Sequence, residues 1–83
     1  MYVVEWTRKA LKQLKRFDNQ RQKQIVTAVR ELKNWPDCKN VKALKQQKGY
    51  RLRVGRYRVF FDVEDTLRIV KIEEVRKRDE RTY

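Results

Sequence analysis

The residues of this 83-residue chain whose types and spacing best suit chemistry are arginines in two neighbouring segments. Tyr50–Val54 reads Tyr-Arg-Leu-Arg-Val, and Tyr57–Val63 reads Tyr-Arg-Val-Phe-Phe-Asp-Val. Alternating polar and apolar residues predict two β-strands, and the Gly55-Arg56 pair between them predicts a tight hairpin turn. Because a guanidinium group donates two parallel hydrogen bonds to a phosphate, the hairpin predicts a site for a polyanion.

A two-residue turn fixes the pairing of these strands and the faces of their side chains. Arg53 then lies opposite Arg58, with their Cβ atoms about 5 Å apart, and Arg51 lies opposite Phe60. Like charges at this distance repel, which favours a binding site on this face, where Phe60 can stack on a base. The alternative is an ordinary solvated face on which arginine stems cover apolar neighbours. The other face, predicted to carry the helices, holds Leu52, Val54, Tyr57, Val59, Phe61 and Val63.

The overall charge agrees with an anionic partner. The chain has 23 Lys and Arg against 11 Asp and Glu, a formal net charge of +12. Nucleic acid, an anionic membrane and an acidic protein are each compatible with that excess. The chain has no histidine, which excludes histidine-based catalytic triads, the usual zinc sites and histidine-paired nuclease mechanisms. We expect no metal and no cofactor.

Length, hydropathy and cysteine content predict one intracellular domain spanning residues 1–83. No apolar run approaches the ~20 residues of a membrane span, and we expect no secretory leader. Cys38, the single cysteine, has no partner for an internal disulfide, which suits a reducing cytoplasm. We expect the isolated chain to be a monomer.

The elements that position the arginines follow from the periodicity of the apolar residues. Tyr2–Trp6 predicts a strand, Thr7 a helix N-cap, and Asp18-Asn19-Gln20 a break between two helices. Apolar residues at helical spacing are Ala10, Leu11, Leu14 and Phe17 in the first helix, and Ile25, Ala28, Val29 and Leu32 in the second. Trp35-Pro36 ends the second helix.

The second half of the chain completes the predicted fold. The segment 36–49 is predicted to be a loop with at most one turn, and a last strand runs from Leu67 to about Val75. The prediction is an α+β domain of order β-α-α-β-β-β, with two N-terminal helices packed on one face of a mostly antiparallel sheet.

Several segments together resemble the RelE/ParE superfamily of bacterial toxin–antitoxin toxins over almost the whole chain. Trp6–Leu14 is similar to the family's first helix, and Val41-Lys-Ala-Leu44 stands where the family usually reads K-x-L. The most specific match is Tyr50–Phe61, reading YRLRVGRYRVFF. The ending Val75–Tyr83 resembles the family's R-x-x-x-Y pattern.

The resemblance implies a toxin that cleaves mRNA in the ribosomal A site, arrests growth by inhibiting translation, and is neutralised by a cognate antitoxin in a hetero-oligomer. By position it makes Arg58, Arg78 and Tyr83 catalytic and places Arg51 and Arg53 at the RNA phosphates. Phe60, from its place on the arginine face, and Lys77, from its place in the sequence beside Arg78, are also expected to bind RNA. The implied reaction is attack of a 2′-hydroxyl on the adjacent phosphate, which gives a 2′,3′-cyclic phosphate without a metal.

The chain departs from the best-studied branch, which has lysines at the positions of Arg51 and Arg53. Arginine does not release its proton at ordinary pH, so these two residues are expected to clamp phosphate and stabilise charge. The general base is left open among Tyr83, Lys77 and the carboxylates Glu73, Glu74 and Asp79. Tyr83 is alternatively a stacking residue or a frayed chain end.

Two other functions stay open at this point. The ParE branch shares the fold and acts by binding DNA gyrase, and it generally lacks the arginine–tyrosine set. The other alternative is a plain nucleic-acid-binding module or an inactive toxin homologue.

Overall fold

A five-stranded sheet forms the frame of the protein, and both helices pack against one of its faces. The structure is a computed structural model that describes residues 1–78. The strands are β1 (Val3–Trp6), β2 (Val41–Ala43), β3 (Tyr50–Val54), β4 (Tyr57–Glu64) and β5 (Ile69–Lys77). The helices are α1 (Arg8–Leu14) and α2 (Asn19–Arg30), and a 3-10 turn (Glu31–Asn34) follows α2.

Both helices begin at residues whose side chains cap the first turn. The Thr7 hydroxyl accepts a hydrogen bond from the Ala10 N–H at 3.1 Å, and the Asp18 carboxylate accepts one from the Arg21 N–H at 2.8 Å. Each bond satisfies a donor that the start of a helix leaves without a partner. The helix starts predicted from the sequence are therefore confirmed.

The strands lie in the order β1-β5-β4-β3-β2, with β1 parallel to β5 and every other pair antiparallel. This confirms the predicted α+β class and the mostly antiparallel sheet. The β3–β4 register is also the predicted one, because Arg53 pairs with Arg58 and Val54 with Tyr57 across the Gly55-Arg56 turn.

Two predictions for the second half of the chain were wrong. The segment 36–49 is not only a loop, since Val41–Ala43 forms β2, an edge strand paired with β3. The last strand begins at Ile69 and extends to Lys77. Leu67 lies in the turn before it with 67% of its surface exposed, so it does not contribute to the core.

One extra residue in β5 changes the face on which its end projects. Phe60 of β4 pairs with Glu74, but the next residue, Phe61, pairs with Ile72 rather than with Glu73. Such a β-bulge interrupts the strict alternation of side chains along a strand. Beyond the bulge, each residue of β5 lies on the face opposite to the one that strict alternation would give.

The core lies between the helices and the sheet. Its buried members are Ala10, Leu14, Ile25, Val29, Leu32, Leu52, Val54, Tyr57, Val59, Phe61, Val70, Ile72 and Val75. The predicted apolar face of the hairpin is thus confirmed, with Val63 partly buried at its end. None of the helices within residues 1–78 is long and apolar enough to cross a membrane.

Candidate functional site

A cleft of about 460 Å³ opens on the sheet face that the helices leave uncovered. Five cationic residues line it together with three uncharged ones: Lys42, Arg51, Arg53, Arg58 and Arg78, with Asn40, Val41 and Gly55. No carboxylate is among these residues. The cleft is therefore a concentrated positive surface and not a mixed charged one.

Strand pairing brings the cations together from three strands. Lys42 of β2 pairs with Arg51 of β3, and Arg53 of β3 pairs with Arg58 of β4. Directly paired side chains lie on the same face with Cβ atoms about 4.5–5.5 Å apart. The predicted grouping of Arg51, Arg53 and Arg58 on one face is what the structure shows.

The backbone at the rim fixes these strands in register. Asn40 has φ of 62°, and its carbonyl oxygen accepts a hydrogen bond from the Arg53 N–H at 2.9 Å, which joins the start of β2 to β3. Gly55 has φ of +56° at the first position of the hairpin turn, a conformation that favours glycine there.

Arg78 enters the cleft because of the bulge in β5. Its backbone N–H donates to the carbonyl oxygen of Arg56 at 2.6 Å, which continues the pairing of β5 beside the hairpin turn. After the bulge, even-numbered residues of β5 lie on the face of Arg58, and Arg78 continues this alternation into the cleft lining.

Mutual repulsion acts at the centre of the cleft. The pKa of Arg58 lies below its usual range, first because burial disfavours its charge and then because Arg51, Arg78 and Arg53 repel it. Within residues 1–78, none of the ion pairs involves one of these four arginines. Their side chains are thus available to an anionic ligand.

Phe60 lies beside the cleft in a second cluster. The guanidinium carbon of Arg76 is 5.3 Å from the centre of the Phe60 ring. Arg76 donates from both Nε (3.1 Å) and Nη2 (2.8 Å) to Oε1 of Glu74, and Lys9 Nζ lies 3.4 Å from the same oxygen. The pKa of Glu74 is lowered, first by the hydrogen bond from Arg76, with burial acting in the opposite direction.

The structure does not bring every predicted site residue together. Lys77 pairs with Tyr57, whose side chain is buried under the helices, and it lines a separate depression on that side with Phe17 and Arg21. Lys77 therefore lies on the opposite face of the sheet from the arginine cleft. Tyr83 lies outside the described residues.

Sequence reasoning did not place Lys42 or Arg76 in the site, and it named Glu74 only as a possible general base. Lys42 was assigned to a loop, although its position between Val41 and Ala43 fits a short lysine-bearing edge strand. Arg76 and Glu74 depend on the bulge, for which the signal is the apolar spacing of β5, whose buried residues are Val70, Ile72 and Val75.

The arrangement needs no metal to concentrate positive charge. No group of three or more potential metal-ligating side chains occurs in the part of the chain that the structure describes.

Comparison with solved structures gives the same fold in several toxins. The toxin–antitoxin complex RelBE2 from Mycobacterium tuberculosis matches with a TM-score of 0.83 at 24% identity, covering 93% of this chain and 98% of that one. The isolated RelE toxin of E. coli matches with a TM-score of 0.81 at 20% identity, covering 96% and 87%. The YoeB/ParE toxin from Agrobacterium tumefaciens matches with a TM-score of 0.74 at 16% identity, covering 93% and 99%.

At these identities the structural matches show the fold alone, and comparison with curated protein sequences finds no match. The family is shown by sequence, because residues 4–82 match the model of the ParE toxin of the type II toxin–antitoxin system parDE. The chain therefore belongs to the ParE toxin family of type II toxin–antitoxin systems, within the RelE/ParE superfamily.

Proposed function

We propose that this toxin is an endoribonuclease that cleaves mRNA in the A site of the ribosome. One observation carries the proposal: Arg51, Arg53, Arg58 and Arg78 surround one cleft, with Lys42 on its rim and no carboxylate in its lining. A phosphodiester backbone supplies the negative charge that this cleft lacks. The fold shared with RelE toxins supports the same class of activity.

The proposed reaction is transesterification within the RNA. The 2′-oxygen attacks the adjacent phosphorus, the bond from phosphorus to the 5′-oxygen breaks, and the products are a 2′,3′-cyclic phosphate and a 5′-hydroxyl end. The 2′-hydroxyl loses one proton and the leaving 5′-oxygen gains one. Negative charge accumulates on the phosphate oxygens in the transition state, where fixed cations are most effective.

The cleft residues have separate parts in this reaction. Arg58, at the centre of the cluster, and Arg78, at its edge, stabilise the charge on the scissile phosphate. Arg51, Arg53 and Lys42 hold the phosphate backbone. No carboxylate lines the cleft within residues 1–78, so catalysis by these residues consists of positioning and charge stabilisation. Tyr83 is proposed as a further catalytic group from the sequence resemblance alone.

The proposed partners are the ribosome with its mRNA and a cognate antitoxin. Structures with this fold include toxin–antitoxin complexes from Mycobacterium tuberculosis and E. coli, which supports an antitoxin partner for this chain. A partner that neutralises a net charge of +12 is expected to carry an acidic segment.

Primer extension on an mRNA translated in vitro tests this proposal. Purified toxin should produce cuts within codons at the A site, only when ribosomes translate the message. Arg58→Ala and Arg78→Ala should each remove the cuts and the growth arrest, whereas Arg8→Ala, a matched change at an exposed arginine of α1, should leave both intact. Full activity in both cleft variants would refute the proposed site.

A second function has one observation in its favour, which is the sequence match to a model described as the ParE toxin. In that reading the toxin binds DNA gyrase and has no nuclease activity. A gyrase supercoiling assay distinguishes the two: inhibition of supercoiling without ribosome-dependent cuts would replace the nuclease proposal.

A further inference from the structure

The uncovered sheet face divides into two parts with different charge. The cleft arginines have no ion pair within residues 1–78, whereas Arg76, on the next strand, gives two hydrogen bonds to the Glu74 carboxylate. A guanidinium group that is already bonded to a carboxylate has fewer donors and less net charge to offer a phosphate. Arg76 is therefore less suited to bind a phosphate than the cleft arginines are.

The position of Arg76 suits a planar and uncharged ligand. One side of its guanidinium group lies over the Phe60 ring, and 60% of the side chain is exposed, so its outer side is open to solvent. Guanidinium planes and aromatic rings are the surfaces on which proteins stack the bases of single-stranded RNA. Glu74 fixes the orientation, since two nitrogens of the group bond to one carboxylate oxygen.

This cluster is continuous with the phosphate cleft. Arg76 pairs directly with Arg58, and Phe60 pairs directly with Arg51, so Arg76 and Phe60 each lie one strand spacing, about 4.8 Å, from a cleft arginine. A nucleotide whose phosphate lies at Arg58 has its base within reach of the cluster. An exposed ion pair contributes little to stability on its own, so structural support is a weak reason for the arrangement.

We propose that Arg76, held over Phe60 by Glu74, is a stacking platform for a nucleobase of single-stranded RNA next to the phosphate bound in the cleft. The proposal rests on the proposed function and deepens it by assigning a base subsite. Glu74 is a positioning residue in this arrangement: it keeps Arg76 on the ring and away from the phosphates.

Two short RNA oligomers of equal length test the platform, one with its bases and one abasic at every position. Both carry the same phosphates, so the ratio of their affinities for the free toxin isolates the contribution of the bases. Phe60→Leu should weaken binding of the base-containing oligomer about tenfold and leave that of the abasic oligomer unchanged. Arg58→Ala should weaken both.

The salt dependence of binding separates the two parts of the surface. For single strands, the slope of log affinity against log salt changes by about 0.7 for each phosphate contact. Arg58→Ala should make the slope shallower by about 0.7, and Phe60→Leu should not change it. Glu74→Gln should make the slope steeper by about 0.7, because the released Arg76 becomes a phosphate contact. It should also lower the ratio of the affinities for the base-containing and abasic oligomers.

A matched control excludes a general effect of charge. Glu64→Gln makes the same change of charge on an exposed residue at the far end of β4, and it should alter neither the ratio nor the slope. Continued binding of the abasic oligomer shows that the Phe60→Leu, Glu74→Gln and Glu64→Gln variants are folded, and circular dichroism checks Arg58→Ala.

Each outcome bears on the platform or on the nuclease separately. Equal wild-type affinity for the two oligomers, no binding of either, or equal weakening of both by Phe60→Leu would overturn the platform. Ribosomal cleavage in primer extension would in those cases still support the nuclease. A base-dependent affinity without cleavage would support the platform and overturn the nuclease.

Discussion

Removing the charge of Arg58 should stabilise the fold while it destroys the function. In the folded protein this guanidinium group is partly buried and repelled by three other arginines, and its pKa lies below the usual range for these reasons. Arg58→Gln keeps most of the side-chain length and removes the charge. Arg53 pairs directly with Arg58, and such like-charge pairs cost about 0.2–1 kcal/mol.

The size of the expected gain follows from that pair and its neighbours. Arg53 and Arg76 both pair directly with Arg58, but Arg76 is already bonded to Glu74, so the repulsion comes from Arg53, Arg51 and Arg78. The gain in free energy of unfolding should be about 1 kcal/mol. For a domain of this size, 1 kcal/mol raises Tm by about 4–8 °C. Because the screening length falls from about 10 Å at 0.1 M salt to about 3 Å at 1 M, most of the gain should disappear at high salt.

Thermal unfolding followed by circular dichroism at the two salt concentrations measures the effect. Arg53→Gln should give a similar gain, and the double variant should gain less than the two single variants together, because they remove the same repulsion. Arg8→Gln is the matched control on α1 and should leave Tm unchanged. A lower Tm for Arg58→Gln, or a gain that persists at high salt, would show that repulsion in the cleft is not the cause.

Three further changes test other parts of the structure. Lys42→Ala should make the slope of log affinity for RNA against log salt shallower by about 0.7, whereas Lys39→Ala, outside the cleft lining, should not change it. If the two variants have equal slopes, Lys42 does not belong to the site. The pKa of Glu74 is lowered in the folded protein, so the ionised carboxylate should stabilise the fold by about 0.5 kcal/mol. This stabilisation should be full above the pKa of the unfolded chain, about 4.3, and should be lost as the pH falls through the folded-state pKa. Denaturant unfolding at several pH values should therefore show that the difference in stability between wild type and Glu74→Gln vanishes in acid. Gly49→Ala should lower the free energy of unfolding by about 1–3 kcal/mol, because φ of Gly49 is +118° and the new Cβ would lie 3.1 Å from the Phe61 carbonyl oxygen. An unchanged midpoint of denaturant unfolding would contradict this.

Most of the fold could be predicted because its signals are local. Helix starts depend on single capping side chains, and the hairpin register depends on a two-residue turn between alternating segments. The edge strand Val41–Ala43 could not be predicted in the same way, since three residues are too few to show a period. Its pairing is set by the backbone bond between Asn40 and Arg53, a contact between residues distant in sequence.

The site could be predicted only as far as strict alternation holds. Arg51, Arg53 and Arg58 lie on regular strands, and the structure places them together as expected. Beyond the bulge at Glu73, each residue of β5 projects from the opposite face, so Lys77 lies exposed on the helix side of the sheet rather than in the cleft. A single inserted residue therefore decides which side chains of β5 face the cleft, and the position of that residue depends on how β5 pairs with β4.

The composition of the uncovered face bears on the choice between RNA and a protein as ligand. The centre of a typical protein–protein interface is depleted in charged residues other than arginine and is largely apolar. Here the lining is five cations with Asn40, Val41 and Gly55, and its central arginine is repelled by its neighbours in the free protein. Such repulsion is relieved most directly by a ligand with closely spaced negative charges, and the adjacent Phe60–Arg76 cluster offers a planar surface next to them. Closely spaced phosphates with planar groups attached describe a single-stranded nucleic acid.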